Sequence, residues 1–157
     1  MSYGDAQLGG AAALALVMLA LTTAVHYEAL EFLARTANAR SLSRHRVIGL
    51  LTALVGLHLA EVALYAFAYV LGADVFGLGT LRGSSGKAWL DFFYFAAETY
   101  STLGYGDLVP VGALRLVASV EALNGLLLIA WSGAFLFGVL EDARRLRSQA
   151  RDRRARG

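Results

Sequence analysis

Residues 99–107 read TYSTLGYGD, with two glycines around a tyrosine, hydroxyl side chains before them and an acid closing the run. The chain around this loop is very apolar: of 157 residues, 57% are hydrophobic and 17% charged. Soluble domains sit nearer about half and about a quarter. Just before the loop lies AWLDFFYFAAETYS, residues 88–101, a helical-looking apolar segment of 14 residues. Crossing a bilayer takes roughly 20, so this segment reads as a re-entrant helix that dips in and returns. Irregular backbone at membrane depth is tolerated only where protein encloses it or where it lines a watery path. The loop is therefore expected to be functional or deeply enclosed.

Working outward, three longer apolar spans frame that segment. The first, Leu8 to Val25, has 18 uncharged residues, about 27 Å of helix at 1.5 Å per residue. Its helical stripe continues past Val25 through Tyr27, Leu30, Leu33, Ala34 and Ala37, with Glu31 four residues before Arg35. With Asp5 and no basic residue before Arg35, this N-terminus reads as a retained membrane helix rather than a secretory signal. The second span, residues 47–73, carries His58 and Glu61. The Gly- and Ser-rich stretch DVFGLGTLRGSSGK that follows reads as a surface loop. The last span, residues 112–140, includes Arg115, Glu121 and Asn124, and the chain ends in a basic tail, residues 141–157. No cysteine is present, which removes disulfides, thiolate chemistry and Cys-based zinc sites.

The basic residues orient these spans. Arg35, Arg40, Arg44 and Arg46 lie in the first loop and seven arginines in the tail, against Arg82, Lys87 and Arg115 near the other side. Basic loops stay cytoplasmic. That gives an outside N-terminus, an inside first loop, an outside Gly/Ser-rich loop and an inside tail, with Asp107 at the outer surface. No span carries arginines at every third position, so no voltage sensor is expected.

Gly104 and Gly106 adopt positive φ cheaply. Alternating left- and right-handed residues turn successive carbonyls to one side, so Thr102, Leu103, Gly104 and Tyr105 are expected to form an oxygen ladder above the Thr102 hydroxyl. Such a ladder suits a dehydrated cation. From Thr102 to Asp107 the residues run Thr, an aliphatic, Gly, Tyr, Gly, Asp, and this stretch resembles the signature of the tetrameric potassium channels. The resemblance extends from about Ala88 to Pro110 and onward to about Leu140; the first span has no counterpart in the minimal two-span members. It departs from the usual pattern at Leu103, Ser101 and Tyr100, none of which removes a carbonyl.

The resemblance implies a homotetramer in which Thr102, Leu103, Gly104, Tyr105 and Gly106 form a selectivity filter. K⁺, the permeant ion rather than a cofactor, would sit at Thr102 to Tyr105, its hydration shell replaced by carbonyls. It also implies that Glu98 and Asp107 pair behind the filter. Tyr94 and Phe95, with Trp89, Phe92 and Phe93, are expected to pack around it, and Tyr105 to lean into that aromatic cuff.

Elsewhere the sequence leaves alternatives open. Charged groups inside membranes usually face partners or water. His58, Glu61, Glu121 and Asn124, taken as sharing one depth, are therefore expected to form a polar cluster between the second and last spans. Its role is structural, a gating or proton-sensing one, or metal binding through the His-x-x-Glu spacing, with no further histidine expected nearby. Gly125 reads as either a hinge or a packing residue. The tail serves topology or attracts anionic lipid.

The expected fold is an all-α integral membrane protein. It has three transmembrane helices plus a re-entrant pore helix and filter loop between the second and third. Residues 1–46 form the first helix and basic loop, and residues 47–140 a pore domain. Within that domain lie an outer helix 47–73, a pore helix 88–100, a filter 101–107 and an inner helix 112–140. The expected function is passive K⁺ conduction without enzymatic chemistry or nucleic-acid binding, in the cell membrane of a prokaryote. The alternatives are a non-selective channel of the same architecture, a coupled transporter, and a membrane metal- or proton-binding protein centred on His58, Glu61 and Glu121.

Overall fold

The computed structural model describes residues 3–36, 43–83 and 89–155. Four helices dominate it: α1 (Tyr3–Thr36), α2 (Arg44–Val70), the short α3 (Trp89–Tyr100) and α4 (Leu114–Ala155). A π-helical turn, Leu71–Val75, ends α2. Three helices among the described residues are long and apolar enough to cross a membrane: Gly4–Thr36, Arg44–Val75 and Leu114–Leu146. The protein is a multi-pass membrane protein.

Each long helix buries a narrow stripe and leaves large apolar side chains outside, as lipid permits. On α1 the buried stripe is Ala11, Ala15, Met18, Thr22, His26 and Leu30, at steps of three and four. On α4 it is Leu114, Val117, Glu121, Asn124, Leu128 and Ser132. Leu16, Leu51, Leu90, Leu127 and Phe137 remain exposed. Small residues on the α1 stripe let its backbone approach α4 closely, the usual means of helix association in a membrane.

Two features differ from the expected fold. A two-stranded antiparallel ribbon joins β1 (Gly79–Arg82) to β2 (Val109–Gly112), with Gly79 opposite Gly112 and Arg82 opposite Val109. The stretch read as a plain surface loop thus contains a strand, and Gly112 belongs to the ribbon rather than the inner helix. The physical reason is closure: the ribbon ties the segment before α3 to the segment after the filter loop. Leu78 anchors it, buried and with its carbonyl accepting from Ala113 N–H at 2.7 Å. Secondly, α4 runs unbroken from Leu114 into the tail, as far as Ala155, because the arginine-rich sequence keeps high helix propensity. Arg40, Lys87 and Ala88 of the expected basic loop and pore-helix start lie outside the described residues, as does Arg156.

Candidate functional site at the end of the short helix

The short helix ends in a Schellman arrangement. Leu103 N–H donates to the Glu98 carbonyl at 2.8 Å and Thr102 N–H to that of Thr99 at 3.0 Å. The residue that turns the chain is Thr102, at φ +58°, the only non-glycine at positive φ among the described residues. A β-branched residue there is strained by about 1–3 kcal/mol. Gly104 follows at φ +56° and Gly106 at +81°. Positive φ therefore recurs at 102, 104 and 106 and skips Leu103 and Tyr105. An alternation of this kind is what the expected carbonyl ladder requires.

All seven residues from Ser101 to Asp107 are exposed in the single chain, with Leu103 at 57% and Tyr105 at 68%. Behind them the loop is held at few points. Glu98, buried, accepts the Tyr105 N–H on Oε2 at 3.1 Å. Burial is the main cause that raises the Glu98 carboxyl above its ordinary value; the charge of Asp107 adds to it and the Tyr105 N–H opposes it. Asp107 itself accepts from Tyr94 Oη at 3.4 Å and from Leu108 N–H at 3.1 Å. Within one chain, then, the two acids sense one another through charge, with Tyr105 and Tyr94 as their bonding partners. The Tyr94 and Tyr105 rings lie parallel, 6.5 Å apart. Phe95, expected in the same cuff, instead packs edge-on against Tyr69 of α2 at 5.0 Å. Gly125 of α4 lies directly under the helix end. A Cβ added there would stand 2.2 Å from the Tyr100 carbonyl oxygen, so close backbone approach requires glycine at this position.

The intramembrane polar residues fall into three groups rather than one. Glu121 Oε2 accepts from Tyr69 Oη, while its Oε1 is buried with no partner among the described residues. Asn124 donates to Thr22 Oγ1 at 2.6 Å and to Tyr65 Oη at 3.0 Å. Glu61 meets His58 Nδ1 at 3.2 Å, His26 Nδ1 at 2.8 Å and the Tyr100 hydroxyl. The expected single cluster of His58, Glu61, Glu121 and Asn124 fails because α2 runs antiparallel to α4. Tyr69 is level with Glu121 and Tyr65 with Asn124. Glu61 comes level with His26, whose Nε2 lies 3.4 Å from Ser132 Oγ. From Glu121 to Ser132 is about 16 Å of helix.

Sequence reasoning missed His26, expecting no further histidine near Glu61. The signal was present, since His26 continues the three-and-four stripe of Ala11, Ala15, Met18 and Thr22. It was also silent on the partner of Tyr100, which proves to be the His58–Glu61 pair.

A helix too short to span, a strained turn and a loop of alternating φ follow one another between two spans, the order expected of a pore loop. A family profile described as "Ion channel" matches residues 52–142, from within α2 to beyond the middle of α4. The chain belongs to the ion channel family. The matched region is thus that of a channel rather than of an enzyme.

Three curated relatives match parts of this channel. The inward rectifier potassium channel Kirbac3.1 of Paramagnetospirillum magnetotacticum is 33% identical over 88 residues, 55% of this chain and 28% of that protein. The uncharacterized membrane protein YdjJ of Bacillus subtilis (strain 168) is 35% identical over 82 residues, 52% of this chain and 24% of the relative. The voltage-gated potassium channel Kch of Escherichia coli (strain K12) is 45% identical over 49 residues, 31% and 12%. The chain thus spans less than a third of the length of each of these relatives. No solved structure matches it.

Proposed function

We propose that this channel conducts K⁺ passively as a homotetramer, with the loops of four copies facing one axis. The observation that carries this is the run of seven exposed residues, 101–107, with positive φ at 102, 104 and 106. Backbone of this kind facing lipid would leave its polar groups without partners at several kcal/mol each. Facing three other copies, the same carbonyls of Thr102, Leu103, Gly104 and Tyr105 replace the water around an ion. The four α3 helices then point their C-terminal ends, with partial negative charge, towards the ion's path. The printed descriptions of Kirbac3.1 and Kch as potassium channels support the choice of ion.

The exposed face of α4, including Leu123, Leu126 and Leu127, is the surface available to neighbouring copies below the filter. The N-terminus lies outside and the arginine-rich end of α4 inside, where Arg144 and Arg145 meet anionic lipid headgroups. The bacterial relatives support a prokaryotic origin. The test is purified protein in liposomes, with K⁺ and Na⁺ flux measured in parallel and copy number read by native mass spectrometry. Four chains and flux strongly favouring K⁺ are expected. Equal flux of both ions overturns the selectivity, and another copy number overturns the assembly.

A further inference from the structure

The polar group behind α3 has a capacity that ion conduction does not call on. His26 comes from α1, and His58 and Glu61 from α2; one donor atom from each lies within 4.8 Å of the other two. His26 Nδ1 is 2.8 Å from Glu61 Oε1, and His58 Nδ1 is 3.2 Å from Oε2. Donors held at about 2.0–2.1 Å around a tetrahedral zinc stand about 3.3 Å from one another, so little movement separates the present spacing from a coordination shell.

The surroundings are those of a metal site in other respects. His26 and Glu61 are fully buried, and His58 keeps 20% of its side chain exposed, the one open side. The far nitrogen of His26 has Ser132 Oγ at 3.4 Å, and Trp131 covers the ring with centroids 5.5 Å apart. A polar partner on the remote nitrogen is how a ligating histidine is oriented. Tyr100 donates to Glu61 Oε2 and does the same for the carboxylate. Charge points the same way. Among the described residues the bonding partners of Glu61 are two imidazoles and a phenol, with no lysine or arginine, so the cation that balances its carboxylate in an apolar span is either an imidazolium or a metal ion held by the same imidazoles. Mixed imidazole and carboxylate donors suit zinc and its first-row neighbours rather than calcium or magnesium.

We infer that His26, His58 and Glu61 bind a divalent transition-metal ion, with Ser132 and Tyr100 as positioning residues and water in the fourth place. The ion ties α1 to α2 directly beside Tyr100, the last residue of α3. Its sign as a structural element is independent of ion permeation, so the reading stands whether or not the pore selects K⁺. His26 takes the place that the sequence alone offered to Glu121.

The test uses the full chain in detergent, with any affinity tag removed, stripped by chelator and titrated with Zn²⁺ alone. Metal retained after gel filtration is measured by elemental analysis, and Co²⁺ replaces Zn²⁺ for visible spectroscopy. The expected uptake is about one ion per chain, with the visible absorption of a four-coordinate Co²⁺ site. A His26→Gln/His58→Gln double substitution should abolish both, and Ser132→Ala should weaken affinity by about tenfold without removing a ligand. Should the double variant not fold, Glu61→Gln serves in its place, keeping the shape while losing the charge. Uptake far below one ion per chain overturns the site, as does undiminished uptake by either ligand variant. A response to pH with no metal uptake also overturns it, in favour of protons.

Discussion

The two sides of α3 solve the same problem in opposite ways. On one side the loop from Ser101 to Asp107 is exposed throughout, with backbone polar groups that a single chain does not cover. On the other side Glu61, Glu121, Asn124 and His26 are buried and bonded almost wholly within the chain. Both sides carry polar groups at membrane depth. The difference teaches that the back of α3 is closed within one chain, whereas the front is left open by it, as the proposed assembly of four copies requires. The strained Thr102 turn sits at the boundary between them.

The comparison can be broken most directly at Gly104. Gly104→Ala places a side chain at φ +56°, where a left-handed L-residue costs roughly 1–2 kcal/mol per copy. Apart from its two chain neighbours, no atom of the described residues lies within 4 Å of the added Cβ. K⁺ flux in liposomes should disappear while the helical content of the chain is unchanged; undiminished flux would show that the front is not the conduction path.

Gly125→Ala attacks the back instead. Its Cβ would meet the Tyr100 carbonyl at 2.2 Å, an overlap that backbone must move to relieve, at about 1–3 kcal/mol. Thermal unfolding in detergent should shift clearly downward. Gly133→Ala, with no described atom within 4 Å beyond its chain neighbours and the backbone of its own helix, is the matched control and should be neutral or stabilising by under about 1 kcal/mol. Equal melting of the two variants would dismiss the close approach of α4 to the helix end.

Glu98 links the two sides, and its effect is smaller and depends on pH. Burial holds its carboxyl above the ordinary 4.5, so the folded state favours the protonated form. That contribution is complete below 4.5 and is lost as pH rises through the raised folded value. The melting temperature of the wild type relative to Glu98→Gln should therefore fall across that interval. A difference that stays flat with pH would mean that Glu98 does not titrate behind the loop. The smallest effect is expected from Tyr94→Phe, which loses one long hydrogen bond to Asp107 and keeps the parallel stack on Tyr105. Its melting should stay within about 0.5 kcal/mol of wild type.

Much of this was legible before any fold was known, and for particular reasons. The three spans follow from apolar length, and the short α3 from an apolar run too brief to cross. Positive φ at Gly104 and Gly106 follows from having no Cβ. The pairing of β1 with β2 was not legible, because four-residue strands rich in glycine carry no two-residue alternation strong enough to register. The Tyr69 partner of Phe95 was not legible, because helical spacing says which residues share a face but not which neighbour covers it. Estimated depth does not group the polar residues correctly, because depth counted from span ends ignores how antiparallel helices are offset.

What the sequence by itself determined is the part governed by local rules: which segments are long and apolar enough to cross a membrane, and where the backbone must leave the helix. Those follow from chain length, charge and glycine, each a property of a few neighbouring residues. Only the tertiary structure decided that His26 meets Glu61, that Tyr100 closes onto the same carboxylate, and that Gly125 lies beneath a carbonyl. These contacts join residues dozens of positions apart, and their choice rests on the phase and offset of packed helices, which no single segment encodes.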